Sequence, residues 1–230
     1  MRTVRLPLAF VAAFWILVLL QLSTISAAEG NQPAMSPTDA LKELMAGNQR
    51  FQTDKTKHPL LHSQSREELV GGQSPFAVIL SCSDSRVPPE LIFDQGLGGL
   101  FVVRVAGNTV TRAGLESIDY AVTNLGTTLI VVLGHDSCGA VKGAVAECGS
   151  KPGANLPEIF ANICPAVDRA RKKGSESLES NAIDLNVDEQ VRALERSALF
   201  KERVADGKLK VVGARYNLQS GKVELLGGAK

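Results

Sequence analysis

The chain has little surplus charge. Its 230 residues carry 25 Lys and Arg against 24 Asp and Glu, a formal net charge of +1. No run of like charges interrupts that balance. A nucleic-acid binder shows a basic face or stripe, so the electrostatic case for that class is missing. No Cys-x-x-Cys is present, which argues against a thiol oxidoreductase. There is no internal repeat and no low-complexity tract, so repeat architectures are set aside. Aromatic residues make up 5% and only three histidines occur. What remains is an ordinary globular composition, 44% hydrophobic and 21% charged, long enough for one domain with a sizeable core.

The one long apolar stretch lies at the start. Arg2 and Arg5 precede an apolar segment from Leu6 to Leu22, broken only by Pro7 and Gln21. Ser26-Ala27-Ala28 then offers small residues ahead of Glu29. This is the layout of a secretory signal peptide, so residues 1–28 are assigned to a signal and 29–230 to a single domain. The alternative is an uncleaved anchor, since the stretch is about long enough to span a thin bilayer. No cysteine lies near the cleavage site, which argues against a lipoprotein. Cleavage removes Arg2 and Arg5 and shifts the formal charge from +1 to −1. The expected product is exported, to the bacterial periplasm, with no stable membrane insertion.

Beyond residue 36 the pattern alternates. Ser36-Pro37-Thr38-Asp39 opens a helix, with apolar Leu41, Leu44 and Met45 at helical spacing up to Phe51. Residues 52–74 read as a polar helix or loop. Continuous apolar runs follow at Phe76–Leu80, Leu100–Val103 and Leu129–Leu133, with a weaker one at Lys210–Val212. Such runs mark strands buried on both faces, as in parallel sheets. Val223–Leu226 predicts an antiparallel edge strand. Helical patterns fall at Leu115–Leu125, Ala140–Glu147, Leu156–Lys173 and Val187–Val204. The fold class is therefore α/β: a twisted, mostly parallel sheet of four strands plus an antiparallel edge strand, with helices on both faces.

Two short motifs sit just beyond strand ends. Cys82-Ser83-Asp84-Ser85-Arg86 follows the first strand, and His135-Asp136-Ser137-Cys138 follows the third. Ligands of open α/β sheets bind beyond the carboxyl ends of strands, where these segments can converge. Two cysteines and a histidine are zinc ligands, and three protein ligands leave a fourth position for chemistry. In extended chain, Cys82, Asp84 and Arg86 share one side. Arg86 can clamp the Asp84 carboxylate with two hydrogen bonds. Gly134 and Gly139 let the backbone bend around an ion, and the helix following Cys138 favours its thiolate. If Cys82 and Cys138 hold metal, Cys148 and Cys164 remain. They are either a disulfide permitted by export or two small buried hydrophobes.

These residues resemble the β-class carbonic anhydrases, which carry Cys-x-Asp-x-Arg and then His-x-x-Cys. Pro88–Gly96, Leu100–Asn108 and Val212–Glu224 are also similar to family segments, so the likeness spans about residues 36–228. The resemblance implies a zinc enzyme interconverting carbon dioxide and bicarbonate, as a homodimer or higher homo-oligomer. It implies Cys82, His135 and Cys138 as ligands and Asp84 and Arg86 as the catalytic pair, with Asp84 a fourth ligand only in a closed state. Gln95 is implied as a substrate-binding residue, although its spacing to the next phenylalanine differs by one from the plant-like pattern. Bicarbonate-regulated members have a tryptophan three residues before the first cysteine. Ile79 stands there, so no such inhibitory pocket is expected, although Arg104 is present. Relatives of this fold hydrolyse carbon disulfide or carbonyl sulfide, and a non-enzymatic zinc-binding envelope protein is a further alternative. Keeping both Asp84 and Arg86 argues against the latter. His58 and His62 are the candidate proton relays.

Overall fold

The computed structural model describes residues 35–149, 157–174 and 177–227. The expected signal peptide, residues 1–28, and the start at 29–34 lie outside the described residues. No helix among the described residues is long and apolar enough to cross a membrane.

Five strands form one sheet: β1 (Ala77–Ser81), β2 (Leu100–Arg104), β3 (Leu129–His135), β4 (Lys210–Tyr216) and β5 (Val223–Leu225), in the order β2-β1-β3-β4-β5. The first four are parallel and β5 pairs antiparallel with β4, Tyr216 opposite Val223. Every residue of β1 and β3 is buried, which is why both read as unbroken apolar runs. From β1 the chain steps outward to β2, then crosses back to β3 on the other side of β1. That reversal opens a crevice at the carboxyl ends of β1 and β3.

Alternate side chains of the strands feed opposite layers. Ala77, Ile79, Leu129, Val131 and Leu133 pack with Ala40 and Leu44 of α1 (Pro37–Gln52) and with Ile92 and Phe93. Helix α1 starts as its sequence dictates: Ser36 Oγ accepts the Asp39 amide at 3.1 Å, and Pro37 fills the first turn. Val78, Leu80, Ile130 and Val132 pack on the other side with α2 (Arg112–Asn124) and α5 (Leu178–Arg196). A third cluster joins α3 (Gly139–Glu147), α4 (Glu158–Lys173) and the first half of α5 around Cys82 and Cys138.

One helix assignment changes. The helix expected from Val187 to Val204 begins nine residues earlier and stops at Arg196, where Ser197 turns to ψ 135°. A separate short helix, Lys201–Ala205, follows. The early half was hidden because Glu179, Ser180, Asn181, Asp184 and Asn186 dilute its apolar spacing. The Leu156 start of α4 lies outside the described residues. Within 52–74, Ser63–Glu68 is helical and Leu69–Gly71 makes a single tighter turn. Cys148 and Cys164 form a disulfide that joins the end of α3 to α4.

Candidate metal centre

Cys82 is the first residue past β1 and is 4% exposed. Its sulfur accepts the amides of Asp84 at 3.4 Å and Gly107 at 3.3 Å. The motif does not continue as extended chain. The Val87 amide bonds the Asp84 carbonyl at 3.0 Å, so a turn, rather than strand alternation, brings Asp84 and Arg86 together. Arg104, at the end of β2, braces this turn by donating to the carbonyls of Cys82 at 3.0 Å and Asp84 at 2.5 Å.

His135 ends β3 and is fully buried. Its Nδ1 lies 2.8 Å from the Asp136 carbonyl oxygen. That contact makes Nδ1 the protonated nitrogen and leaves a lone pair on Nε2. Nε2 is buried with no hydrogen-bond partner. Asp136 is held in turn by Arg215 of β4, Nε to Oδ1 at 2.7 Å. Ser137 adopts φ +53°, and Cys138 then caps α3 at 1% exposure.

The ligand atoms of Cys82, His135 and Cys138 all lie within 4.8 Å of one another. Two sulfurs and an orphaned imidazole nitrogen, buried together, suit a zinc-like cation. Beside them Asp84 is held by Arg86, with Nε to Oδ1 at 2.9 Å and Nη2 to Oδ2 at 2.7 Å. Asp84 Oδ2 is 3.9 Å from His135 Nε2, so the carboxylate borders the ligand group.

The carbonic anhydrase family model matches residues 77–223, which take in this whole arrangement. The chain belongs to the β-class carbonic anhydrases. Carbonic anhydrase 2 of Mycobacterium tuberculosis is 44% identical over 84% of this chain and 94% of its own length. The carbonic anhydrase of Mycolicibacterium smegmatis is 41% identical over 84% and 95%. Among solved structures, the β-carbonic anhydrase CafA of Aspergillus fumigatus aligns with TM-score 0.64 at 26% identity, over 83% of this chain and 92% of its own.

The electrostatics of this carbonic anhydrase site are uneven. The Arg86 guanidinium holds the Asp84 carboxyl far below the usual range, against the opposing effect of burial. Asp84 is therefore an ionised acceptor at any physiological pH. Hydrogen bonding from Cys138 holds the Cys82 thiol well below its ordinary value despite burial, with help from the amides of Asp84 and Gly107. The hydrogen bond that Cys138 gives to Cys82, together with burial, pushes the Cys138 thiol upward, although the Val141 and Ala140 amides pull the other way. The two sulfurs act as one coupled pair: the first proton leaves readily and the second is held. A cation held by both sulfurs displaces the remaining proton.

The other sequence candidates lie apart. Gln95 donates to Glu43 at 3.3 Å and to the Phe93 carbonyl at 3.2 Å. It lines a cavity of about 290 Å³ with His58, Leu91 and Asp94, and none of Cys82, His135 and Cys138 contributes to that lining. His58 contacts Thr56 at 2.9 Å and, like His62, is exposed. The sequence reading did not find the braces supplied by Gly107 and Arg215, nor the part played by Arg104. Gly107 has one local signal, a glycine ahead of Asn108 in the turn after a strand. Arg215 has none until β4 is placed beside β3.

Proposed function

We propose that this carbonic anhydrase is an exported zinc enzyme, with Cys82, His135 and Cys138 as ligands and Asp84 and Arg86 as its catalytic pair. The observation that carries the reading is Asp84, locked by both carboxylate oxygens to Arg86 and bordering His135 Nε2. When bound, zinc supplies a Lewis acid that acidifies water near neutral pH. The reaction joins carbon dioxide and water into bicarbonate and a proton, and runs in reverse.

Asp84 carries the orienting role. Being ionised, it only accepts hydrogen bonds, so it accepts one from the hydrogen that stays on the attacking oxygen and turns that oxygen's lone pair toward carbon dioxide. Arg86 keeps the carboxylate turned to this task. It also bonds the Ser137 carbonyl at 3.4 Å, which couples the two ligand loops. Because Arg86 engages both Asp84 oxygens, Cys82, His135 and Cys138 would hold the metal without the Asp84 carboxylate. A closed site with Asp84 as fourth ligand requires that pair to break.

Stopped-flow carbon dioxide hydration with metal analysis of the same sample tests this reading. Zinc near one equivalent per chain and rapid turnover are expected. Metal-free or inactive protein sinks it. Cys82→Ser should lose the metal itself.

Export rests on Arg2, Arg5, the Leu6–Leu22 stretch and Ser26-Ala27-Ala28. The Cys148–Cys164 disulfide adds support, since oxidising compartments sustain such bonds. Cell fractionation with amino-terminal sequencing should find a periplasmic chain beginning at Glu29. We further read the protein as a homo-oligomer. Leu61, Leu91 and Leu97 line the cavity beside Gln95 and are 51%, 54% and 42% exposed, a patch that association would cover. A monomer in analytical ultracentrifugation would contradict this.

A further inference from the structure

Two amides lie buried in α5 among apolar neighbours. Asn186 is 0% exposed and Gln190 5%, one helical turn apart, flanked by Leu185, Val187 and Val191. A buried amide without partners costs about 1–3 kcal/mol, so the bonds that these two make indicate what they serve. Asn186 Nδ2 donates to the Gly107 carbonyl at 2.8 Å. Gln190 Nε2 donates to Asn186 Oδ1 at 3.1 Å, and Gln190 Oε1 accepts the Val110 amide at 2.8 Å. The two side chains therefore hold the 107–110 turn from both ends.

Gly107 is the residue that turn presents to the ligands. Its amide donates to Cys82 Sγ at 3.3 Å while its carbonyl accepts from Asn186. At φ +69°, glycine has wide backbone freedom that its own chemistry does not restrict. A Cβ there would lie 2.7 Å from Ile163 Cδ1, so the turn is packed tightly between α4 and the ligand loop. Packing sets where Gly107 sits. The Asn186 bond holds the carbonyl edge of the 107–108 peptide, whose amide edge donates to the Val105 carbonyl at 2.8 Å, and through it limits how the adjoining Gly107 amide points.

We propose that Asn186, fixed by Gln190, is a positioning residue that aims the Gly107 amide at the Cys82 sulfur and so governs how firmly that sulfur holds metal. This rests on the reading of Cys82 as a zinc ligand. Removing the aim leaves the Cys82 sulfur with the Asp84 amide as its remaining backbone donor. The sulfur then becomes more electron-rich and less fixed in direction. Groups supporting a metal ligand from behind typically change metal affinity or activity about 10–100-fold when altered.

The test uses Asn186→Asp, which keeps the size and replaces the donor with an oxygen. Zinc release from the holoenzyme into excess chelator should be about tenfold faster than in wild type. In the cobalt-substituted enzyme, the sulfur-to-cobalt charge-transfer band should move to longer wavelength. If Asn186→Asp does not fold, Gln190→Glu decides by the same readings, since it keeps the acceptor for Val110 and loses only the donor to Asn186. Asp188→Asn, on the same helix as Asn186, is the control: it loses ion pairs to Arg169 of α4 and to Arg192 and should leave both readings unchanged. Release within twofold of wild type, or faster release with the band unmoved, overturns the proposal. Wild-type protein that takes up neither zinc nor cobalt overturns the metal reading itself, and this inference with it.

Discussion

Asp84 shows how much one side chain owes to its neighbour. Arg86 bonds its two oxygens at 2.9 and 2.7 Å, and the Arg86 amide adds a third bond at 3.0 Å. Asn in its place keeps the shape but puts a donor where an acceptor is needed. Asp84→Asn should therefore keep zinc and lose turnover, by about 100-fold or more, the usual scale for a positioned acid-base group. Stopped-flow rates on a sample of confirmed zinc content check this, and undiminished turnover would remove Asp84 from the mechanism. The pair itself was legible, because Cys-x-Asp-x-Arg names its members. Its geometry was not, because alternation along a strand and a turn after a strand both bring Asp84 and Arg86 together. Gln95 could not be placed by its spacing. Only the fold shows its amide directed to Glu43 and the Phe93 carbonyl.

Among the elements, α5 carries the most and was read least. The strands announced themselves because burial on both faces admits only apolar residues, as in Val78–Leu80 and Leu129–Leu133. Helix α5 sets two buried amides, Asn186 and Gln190, into its inner face and partly exposed carboxylates beside them, so apolar spacing identified only its second half. Its close approach to the sheet depends on two strand glycines. A Cβ at Gly134 would lie 2.5 Å from Val187 Cγ2, and one at Gly213 would lie 2.7 Å from Val187 Cγ1. Gly213→Ala should push α5 away from β4 and cost about 1–3 kcal/mol, the range for overpacking a core. Urea unfolding measures it. Adding Val187→Ala removes the obstructing methyls, so the double variant should lose less than the sum of the singles. Additive losses would mean that the two residues do not meet as described.

At the scale of the whole molecule, distant segments are tied by a few buried bonds. Asn48 of α1 donates to the carbonyls of Ile92 and Gly221 at 3.1 and 2.9 Å, and accepts the Val223 amide at 2.9 Å. Asp94, its side chain fully buried, bonds Arg50 Nε at 2.5 Å and the amides of Lys57 and His58. Burial pushes the Asp94 carboxyl up, but the Arg50 bond and the two amides outweigh it and hold it below its ordinary value. A lowered carboxyl stabilises the fold above the unfolded value of about 3.9, and that contribution fades as pH falls toward the folded value. Asp94→Asn should therefore be less stable than wild type near neutrality and lose less stability on acidification. Asn also tolerates the φ of +46° at this position. Urea unfolding at about pH 6 and about pH 3.5, on either side of that value, compares the two, and parallel acid losses would count against the Asp94 account.

The covalent tie follows the same logic across α3. That helix is capped by Cys138 at its start and by Cys148 at its end, and Cys148 is bonded to Cys164 with the two Cα atoms 5.6 Å apart. The bridge closes a loop of sequence separation 16. In the chain-entropy account such a loop adds about 3 kcal/mol, by limiting the unfolded ensemble. The bridge lies at the opposite end of α3 from the ligand. Arg171 also holds this end of α3 by donating to the carbonyls of Cys148 and Val145 at 2.7 and 2.9 Å. Losing the bridge should therefore lower stability without releasing metal. The double variant Cys148→Ser, Cys164→Ser should unfold at lower urea, by about 3 kcal/mol, and keep its zinc and turnover at 25 °C. Zinc loss in the folded variant would show that the far end of α3 governs the site. An unchanged unfolding midpoint would show that the bridge does not stabilise the fold.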